Sequence, residues 1–501
     1  MTSAGKKGLI ASLLLARFLA AVEGTVVTLA IPTIVKDLQS FDLISHVFSI
    51  YLLASAVATP IYGKLSSIYG RKRTLTAGIV IFLVGSALCG LAQDMVMLIA
   101  FRAIQGLGAS AIIVVPMAIV GDVFSLEERG RVQGLLGLVW GIAGLFGPLI
   151  GGMLISVLSW HWIFFVNIPF GLLALLIMRT SLNENAQRQK HYIDYPGVIV
   201  LTAALLTLLA IFTFGKEDAS LLTPTNAALL VVSLVLFAVF YRIERRSPEP
   251  IVPLDVLTKS SVFINIIALF FMAVILGIDV YMPIYLQDVR GLSPLIAGLA
   301  LLPLSISWML AAIPLGKLIH RFGGKPVAIV GVLLTLLCLL PFLFFHQYID
   351  MIIILAVTFF LGAGLGITVT AHTMVIQEST GFEKRGAAVG VNSLVRTLGQ
   401  TIGISVFGAV FNASIVAGFA KEEITKYDLG NLYDISAYQQ GVTWDQIAAV
   451  LVDSLQVVYI VFIVFALLCV ILTLVMPKPP LGGSSKSSDP SQSAVEEAVE
   501  E

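Results

Sequence analysis

The sequence predicts an all-α polytopic membrane protein of fourteen transmembrane helices, built as two six-helix bundles with two further helices between them. Three observations lead there. Only 12% of the 501 residues are charged while 58% are hydrophobic, and mean hydropathy is +0.98, about half the charge of an ordinary soluble chain. Apolar runs of the roughly 20 residues that a bilayer core demands recur from end to end. Short glycine-bearing segments repeat at a nearly constant distance, the mark of a duplicated unit.

The first run, 9–35, follows Lys6 and Lys7 and stops before Lys36. It is too long for a signal-peptide core and lacks a clear small-residue cleavage site, so it is read as a retained span. The second, 46–66, and third, 74–93, flank a basic loop of Lys64, Arg71, Lys72 and Arg73. The fourth, 95–121, is closed by Asp122. The fifth, 132–157, carries a run of glycines, and the sixth, 161–179, ends at Arg179. Spans at 196–214 and 223–243 come next. The last six lie at 261–287, 293–316, 325–345, 349–376, 386–417 and 446–476, where Thr443-x-x-Gln446 reads as the capping box of the final helix.

The repeat decides the architecture. Gly63-Lys64-Leu65 with Gly70-Arg71-Lys72 recurs as Gly316-Lys317-Leu318 with Gly323-Gly324-Lys325, an offset of 253. Arg129-Gly130 recurs as Arg385-Gly386 and Gly106-Leu107-Gly108 as Gly364-Leu365-Gly366, at offsets of 256 and 258. Such an offset covers eight spans rather than six. The predicted plan is a first bundle over 1–190, two additional helices over 191–250, a second bundle over 251–476 and a disordered tail over 477–501, rich in Pro, Gly and Ser and ending in glutamates. The repeats are parallel, related by an axis along the membrane normal. Of the 30 Lys and Arg residues, twenty-two fall on one side; Lys36, Lys216, Arg290, Lys421 and Lys426 fall on the other. The excess marks the cytoplasmic side and places both termini there.

Five charges lie inside spans: Arg17, Glu23, Arg102, Asp279 and Arg396. Glu23 stands about 21 Å along the first helix from Leu9, near mid-bilayer, where a carboxylate costs roughly 2.5–3.5 kcal/mol on insertion scales. It is either a proton-exchanging group, since burial favours the neutral acid, or the structural partner of a cation such as Arg17. Asp279 occupies the first helix of the second repeat, nearer the outer end, as a second coupling carboxylate or a satisfied interface residue. Arg102 shares a helix face with Gln105, and Asn392, Arg396 and Gln400 share another; either Arg is a candidate regulator of a carboxylate. Gly141-x-x-Gly144-x-x-Gly147-Pro148-x-x-Gly151-Gly152 reads as a close-packing face and as a hinge or seal beside a cavity. Arg71 and Asp122, with Gly63 and Gly70 shaping the loop, are candidates for a cytoplasmic latch. Tyr51, Gln105, Trp140, Phe270, Tyr281 and Asn392 are candidates for cavity lining or for helix packing.

Other chemistry is unsupported. There is no phosphate loop and no soluble domain for a nucleotide, so ATP drive is not expected and an ion gradient must supply the energy. No catalytic or metal-binding arrangement stands out, which predicts neither an enzyme nor a cofactor. Zero net charge suggests no nucleic acid. Cys89, Cys338 and Cys469 lack redox or zinc spacing and read as packing residues.

At these residues the chain resembles the major facilitator superfamily and, within it, the fourteen-helix drug:proton antiporters. Gly63-Lys64-Leu65-x-x-x-Tyr69-Gly70-Arg71-Lys72 resembles the cytoplasmic signature between helices two and three. Leu98-x-x-x-Arg102-x-x-Gln105-Gly106-x-Gly108-Ala109 is similar to the helix-four motif, whose arginine is implicated in proton transfer. The glycine run of span five resembles the antiporter motif. Glu23-x-Thr25 with Ala30-Ile31-Pro32, and Trp160-His161-Trp162-Ile163-Phe164 with Asn167-x-Pro169, resemble motifs of the fourteen-helix branch. The chain departs from the pattern at Glu23, where the family has Asp, at Ser67 and His320, where the loop signature carries an acid, and at His161, where Arg is usual.

The resemblance implies a monomeric, proton-coupled antiporter of the cytoplasmic membrane. It would export amphipathic, often cationic drugs by alternating access, with the proton gradient, lipid bilayer and small-molecule substrates as its only partners. A dedicated exporter of a metabolite, lipid or amino acid is the alternative.

Overall fold

The computed structural model describes residues 3–124, 126–181, 194–214, 223–248, 250, 252, 256–346, 348–379, 385–433, 438 and 442–477. The predicted tail lies outside them from residue 478 on. The described chain is helical: α1 Ser3–Leu38, α2 Ile44–Tyr69, α3 Arg71–Cys89, α4 Met95–Val123, α5 Leu126–Val157, a single turn α6 Trp162–Phe165, α7 Asn167–Ser181, α8 Tyr195–Phe214, α9 Pro224–Glu244, α10 Lys259–Ile284, α11 Pro294–Phe322, α12 Gly324–Leu339, α13 Met351–Ser379, α14 Arg385–Lys421 and α15 Trp444–Val475. Among the described residues thirteen helical stretches are long and apolar enough to cross a bilayer, and α8 adds a shorter apolar helix over Tyr195–Ile211. The span expected over 161–179 divides into α6 and α7.

Local chemistry sets the ends. Asp94, Thr223, Thr258 and Ser293 each accept a backbone N–H in the first turn of α4, α9, α10 and α11, satisfying donors that have no partner within the helix. Gln446 accepts from the Thr443 backbone N–H at 3.0 Å, the reach-back half of the predicted box. The repeated loop is repeated in backbone form: Gly70 and Gly323 have φ of +99° and +86°, a region closed to most L side chains.

The two halves meet unequally. At the end opposite the N-terminus, one apolar core runs across both, joining Val26–Val35 of α1 to Tyr281–Val289 at the end of α10 and to Phe407–Phe419 of α14. Towards the other end the core splits. One cluster holds Leu9, Leu13, Phe82 and Ile112 of the first half, and separate ones hold Ile264, Val375 and Val391 or Leu315 and Ala371 of the second. The molecule is therefore sealed at one end and divided at the other. The α8–α9 hairpin lies over the α2–α14 seam, where Leu201 and Leu205 pack with Leu53, Phe237 and Leu398. Outward it presents Val231, Leu234 and Val235, as a bilayer-facing helix does.

The seal is polar where it is outermost. Pro283 lacks a backbone donor, and the helix beyond it loosens into a π turn, Tyr285–Val289, with Arg290 N–H reaching back to the Tyr285 carbonyl at 3.0 Å. That turn carries Gln287, whose amide donates to the Leu29 carbonyl of α1 at 2.8 Å, and Asp288, paired with Lys36 of α1 at 3.0 Å. Tyr433, in the segment between α14 and α15, donates to Asp288 at 2.8 Å and lies under Lys36, 4.8 Å from ring centre. Ser40 N–H donates to Gly430 in the same segment. The Asp288 side chain is fully enclosed while Lys36 is half exposed, so neutralising Asp288 removes the ion pair that ties α1 to the turn beyond α10 and loosens both halves together. A cysteine replacing Ser45, which is 6% exposed behind Gly408 in the seal, is expected to react slowly with a membrane-impermeant maleimide. Adding Asp288→Asn should speed the reaction at least about tenfold. The native cysteines, all buried, serve as the silent control.

Candidate functional site

Glu23 lies in the middle of α1, the longest helix of the first half, and is 1% exposed. Four elements converge on it. Arg102 of α4, 2% exposed, forms the ion pair through Nη1 to Oε1. The same guanidinium donates to Gln105 Oε1 at 2.8 Å and, through Nε, to the Val47 carbonyl of α2 at 3.3 Å. Its Cζ lies over the Tyr51 ring, 4.1 Å from the ring centre. The other carboxylate oxygen is held from the opposite side: Asn167 at the start of α7 donates to Glu23 Oε2 at 2.8 Å. The Asn167 amide also reaches Ser86 Oγ of α3 at 3.0 Å, and Ser86 donates to the Phe164 carbonyl at 2.8 Å. Cys89 Sγ contacts Gln105 Oε1 at 3.7 Å.

The chemistry follows from this enclosure. A buried carboxylate without a partner is unaffordable, so the anion exists here because Arg102 and Asn167 address its two oxygens separately. A proton added to Glu23 converts the ion pair into a neutral acid beside a free guanidinium, which keeps Gln105, Val47 and Tyr51 as its remaining contacts. The site thus has two well-defined charge states distinguished by one proton.

Arg17 is not part of it. Its guanidinium donates to the Ile113 carbonyl of α4 at 2.8 Å. Arg396 donates to Thr373 Oγ1 at 2.7 Å, beside buried His372. Asn392 donates to Asn265 at 2.9 Å. Among the candidates for cavity lining, Tyr51 and Gln105 are components of the Glu23 cluster. Tyr281, 1% exposed, packs edge-on against Phe411 and Phe462 within the seal. Phe270 packs on Phe465, and Trp140 is exposed. Asp279 stands apart as a partly exposed carboxylate with no hydrogen bond or ion pair among the described residues.

The glycine run of α5 forms the seam of three helices. Pro148 offers no N–H to the Gly144 carbonyl one turn earlier, and that carbonyl instead accepts Ser305 Oγ of α11 at 2.7 Å. Gly147 abuts Thr25 and Gly151 abuts Val26 of α1. Gly152 abuts Leu295 of α11, and a Cβ at Gly141 would stand 3.7 Å from Met309 Sδ. The run is thus one of the places where the first half touches the second. At the divided end, Arg71 Nε pairs with Asp122 at 2.8 Å and its Nη1 reaches Ser67 at 3.0 Å, so the serine standing in place of an acid still receives the arginine. The pair is solvent-facing and contributes little to stability. No group of three or more His, Cys, Asp or Glu is placed to hold a metal among the described residues.

Asn167 and Ser86 are the members that a search for charges passes over. Their signal was faint: two neutral polar residues in apolar surroundings, Asn167 within the Asn167-x-Pro169 motif. Removing one partner tests the enclosure. Arg102→Ala should destabilise the fold by about 3–5 kcal/mol, and Glu23→Gln in the same chain should regain most of that loss. Asn167→Ala should cost about 1–3 kcal/mol. Thermal unfolding of the purified variants measures all three.

The sequence profile of the Major Facilitator Superfamily matches residues 13–404. The multidrug transporter protein MdtP of Bacillus subtilis is 31% identical over 82% of this chain and 77% of its own length. The multidrug efflux pump SdrM of Staphylococcus aureus is 28% identical over 80% and 89%. Among solved structures, a bacterial homologue of the human lysosomal transporter Spinster, inward-facing and unoccupied, aligns with a TM-score of 0.68 and 17% identity, covering 95% of this chain and 98% of that one. The D-xylose-proton symporter aligns with a TM-score of 0.61 and 15% identity over 95% and 98%. The chain is a multi-pass membrane transporter and belongs to the Major Facilitator Superfamily.

Proposed function

We propose that the protein is a proton-coupled antiporter that exports amphipathic, cationic drugs by alternating access. The observation that carries this reading is the enclosed Glu23–Arg102 pair, a proton-switchable charge at mid-membrane in a chain sealed at one end and divided at the other. The relatives named as a multidrug transporter and a multidrug efflux pump support the substrate class. The basic loops at the divided end make that end cytoplasmic, with both termini there, in the cytoplasmic membrane.

In the cycle, substrate enters from the cytoplasmic side while Glu23 is paired with Arg102. Once the outer seal parts, a proton from outside neutralises Glu23 and frees Arg102 from α1. Closure of the outer end then carries the proton inward, where its loss restores the ion pair. Each proton moving down 100 mV supplies about 2.3 kcal/mol, and no nucleotide is needed.

Purified protein in liposomes with an imposed pH difference tests this. Wild type should move a fluorescent lipophilic cation against its own gradient, and only while the pH difference lasts. Glu23→Gln should abolish uphill movement, down to the leak of protein-free liposomes. Uphill transport surviving in Glu23→Gln overturns Glu23 as the coupling group.

A further inference from the structure

We propose that Asp279 is the binding residue for the substrate's cationic group, facing Gly24 across the cavity and distinct from the proton site. This rests on the exporter reading above and divides its labour between two carboxylates.

The depth of Asp279 comes from two contacts between α1 and α10, parallel helices that both begin at the divided end. Gln287 meets Leu29 and Asp288 meets Lys36. Counting back along both helices at equal rise, the first contact places Asp279 level with Ala21 and the second level with Val27. Glu23 falls between them. The two contacts thus bracket the depth of Glu23 and place the carboxylates within about a turn of each other, one in each half.

Their surroundings differ in kind. Every other residue from Phe271 to Val289 is buried, and Asp279 alone is partly exposed. The helix is walled elsewhere: Gly277 abuts Phe462 of α15 and Phe407 of α14, and Tyr281 lies on Phe411. The open face is therefore the one that looks between the halves. On α1 the matching opening is Gly24, exposed and with no atom within 4 Å of where a Cβ would stand. Its neighbours are committed, Glu23 to Arg102 and Thr25 to the Ala143 carbonyl at 3.3 Å.

An anionic group in low dielectric with neither cation nor donor beside it is an incomplete site. The chemistry that completes it is a monovalent organic cation, an ammonium or amidinium on an apolar body, with room for that body over Gly24. Glu23 cannot serve, because both of its oxygens are taken.

Equilibrium binding tests this without any gradient. Purified protein in nanodiscs is titrated with a fluorescent quaternary-ammonium dye and with an uncharged dye of matched size. Asp279→Asn should weaken cation binding at least about tenfold while leaving the neutral dye within about twofold, which also reports an intact cavity. Asp279→Glu should retain most of the affinity. The proposal is overturned if Asp279→Asn binds the cation as wild type does, if it loses both dyes alike, or if wild type binds the cation no better than the neutral dye. Cation binding through Asp279 without pH-driven transport would leave this inference standing and sink the antiporter.

Discussion

A charge in the middle of a membrane protein must be answered locally, and the answer to Glu23 organises the first half of this molecule. Arg102 reaches it from α4, Asn167 from α7, and the groups that steady those two come from α2 and α3. Between lipid-facing helices there is little hydrophobic preference for one packing over another. A carboxylate with its oxygens assigned to two different helices fixes both approach and rotation, because a misplaced α4 or α7 leaves a buried ion alone.

The helix that carries this pair also carries the closure. Within α1, Glu23 is followed by Thr25 against the α5 carbonyls, then Leu29 receiving Gln287, then Lys36 on Asp288. These contacts span about four turns of one helix. A change in the charge state of Glu23 alters what holds α1 to α4, and α1 reaches the second half directly at Leu29 and Lys36. The π turn serves the same junction. By breaking the α10 ladder after Pro283 it directs Gln287 and Asp288 to the seam, where a regular helix would have turned one of them away.

Periodicity and charge made the helical framework legible. The apolar runs, the repeat offset and the basic loops all describe one-dimensional order, and Gly70 and Gly323 even share a backbone conformation. Glu23 and Arg102 were legible as costly charges. What the chain order did not reveal was pairing across it. Arg17 seemed a natural partner on the same helix, but six residues away it points to Ile113 instead. Tyr281 has the composition of a binding-site aromatic and fills the seal. Asn167 and Ser86, polar but uncharged, gave too small an insertion penalty to stand out, and their role depends on α3 and α7 meeting. Asp288 sat at the edge of a span, where a charge is unremarkable; only the fold sets it under Tyr433.

The asymmetry between the two carboxylates bears on how exchange is enforced. Glu23 is compensated from within the protein, so its half can close whether or not the cavity is loaded. Asp279 has no such partner, and a cavity closing around it bare would strand an anion in low dielectric. On the proposed function, occlusion is then easy only when something neutralises Asp279. On the way out that is the cationic substrate. On the return it is the proton taken up at Glu23, which removes one negative charge from the pair of carboxylates and leaves Arg102 to offset Asp279. A loaded Asp279 on the way out and a protonated Glu23 on the way back are then the two permitted crossings. That division, rather than any direct contact between substrate and Glu23, is what ties export to proton entry.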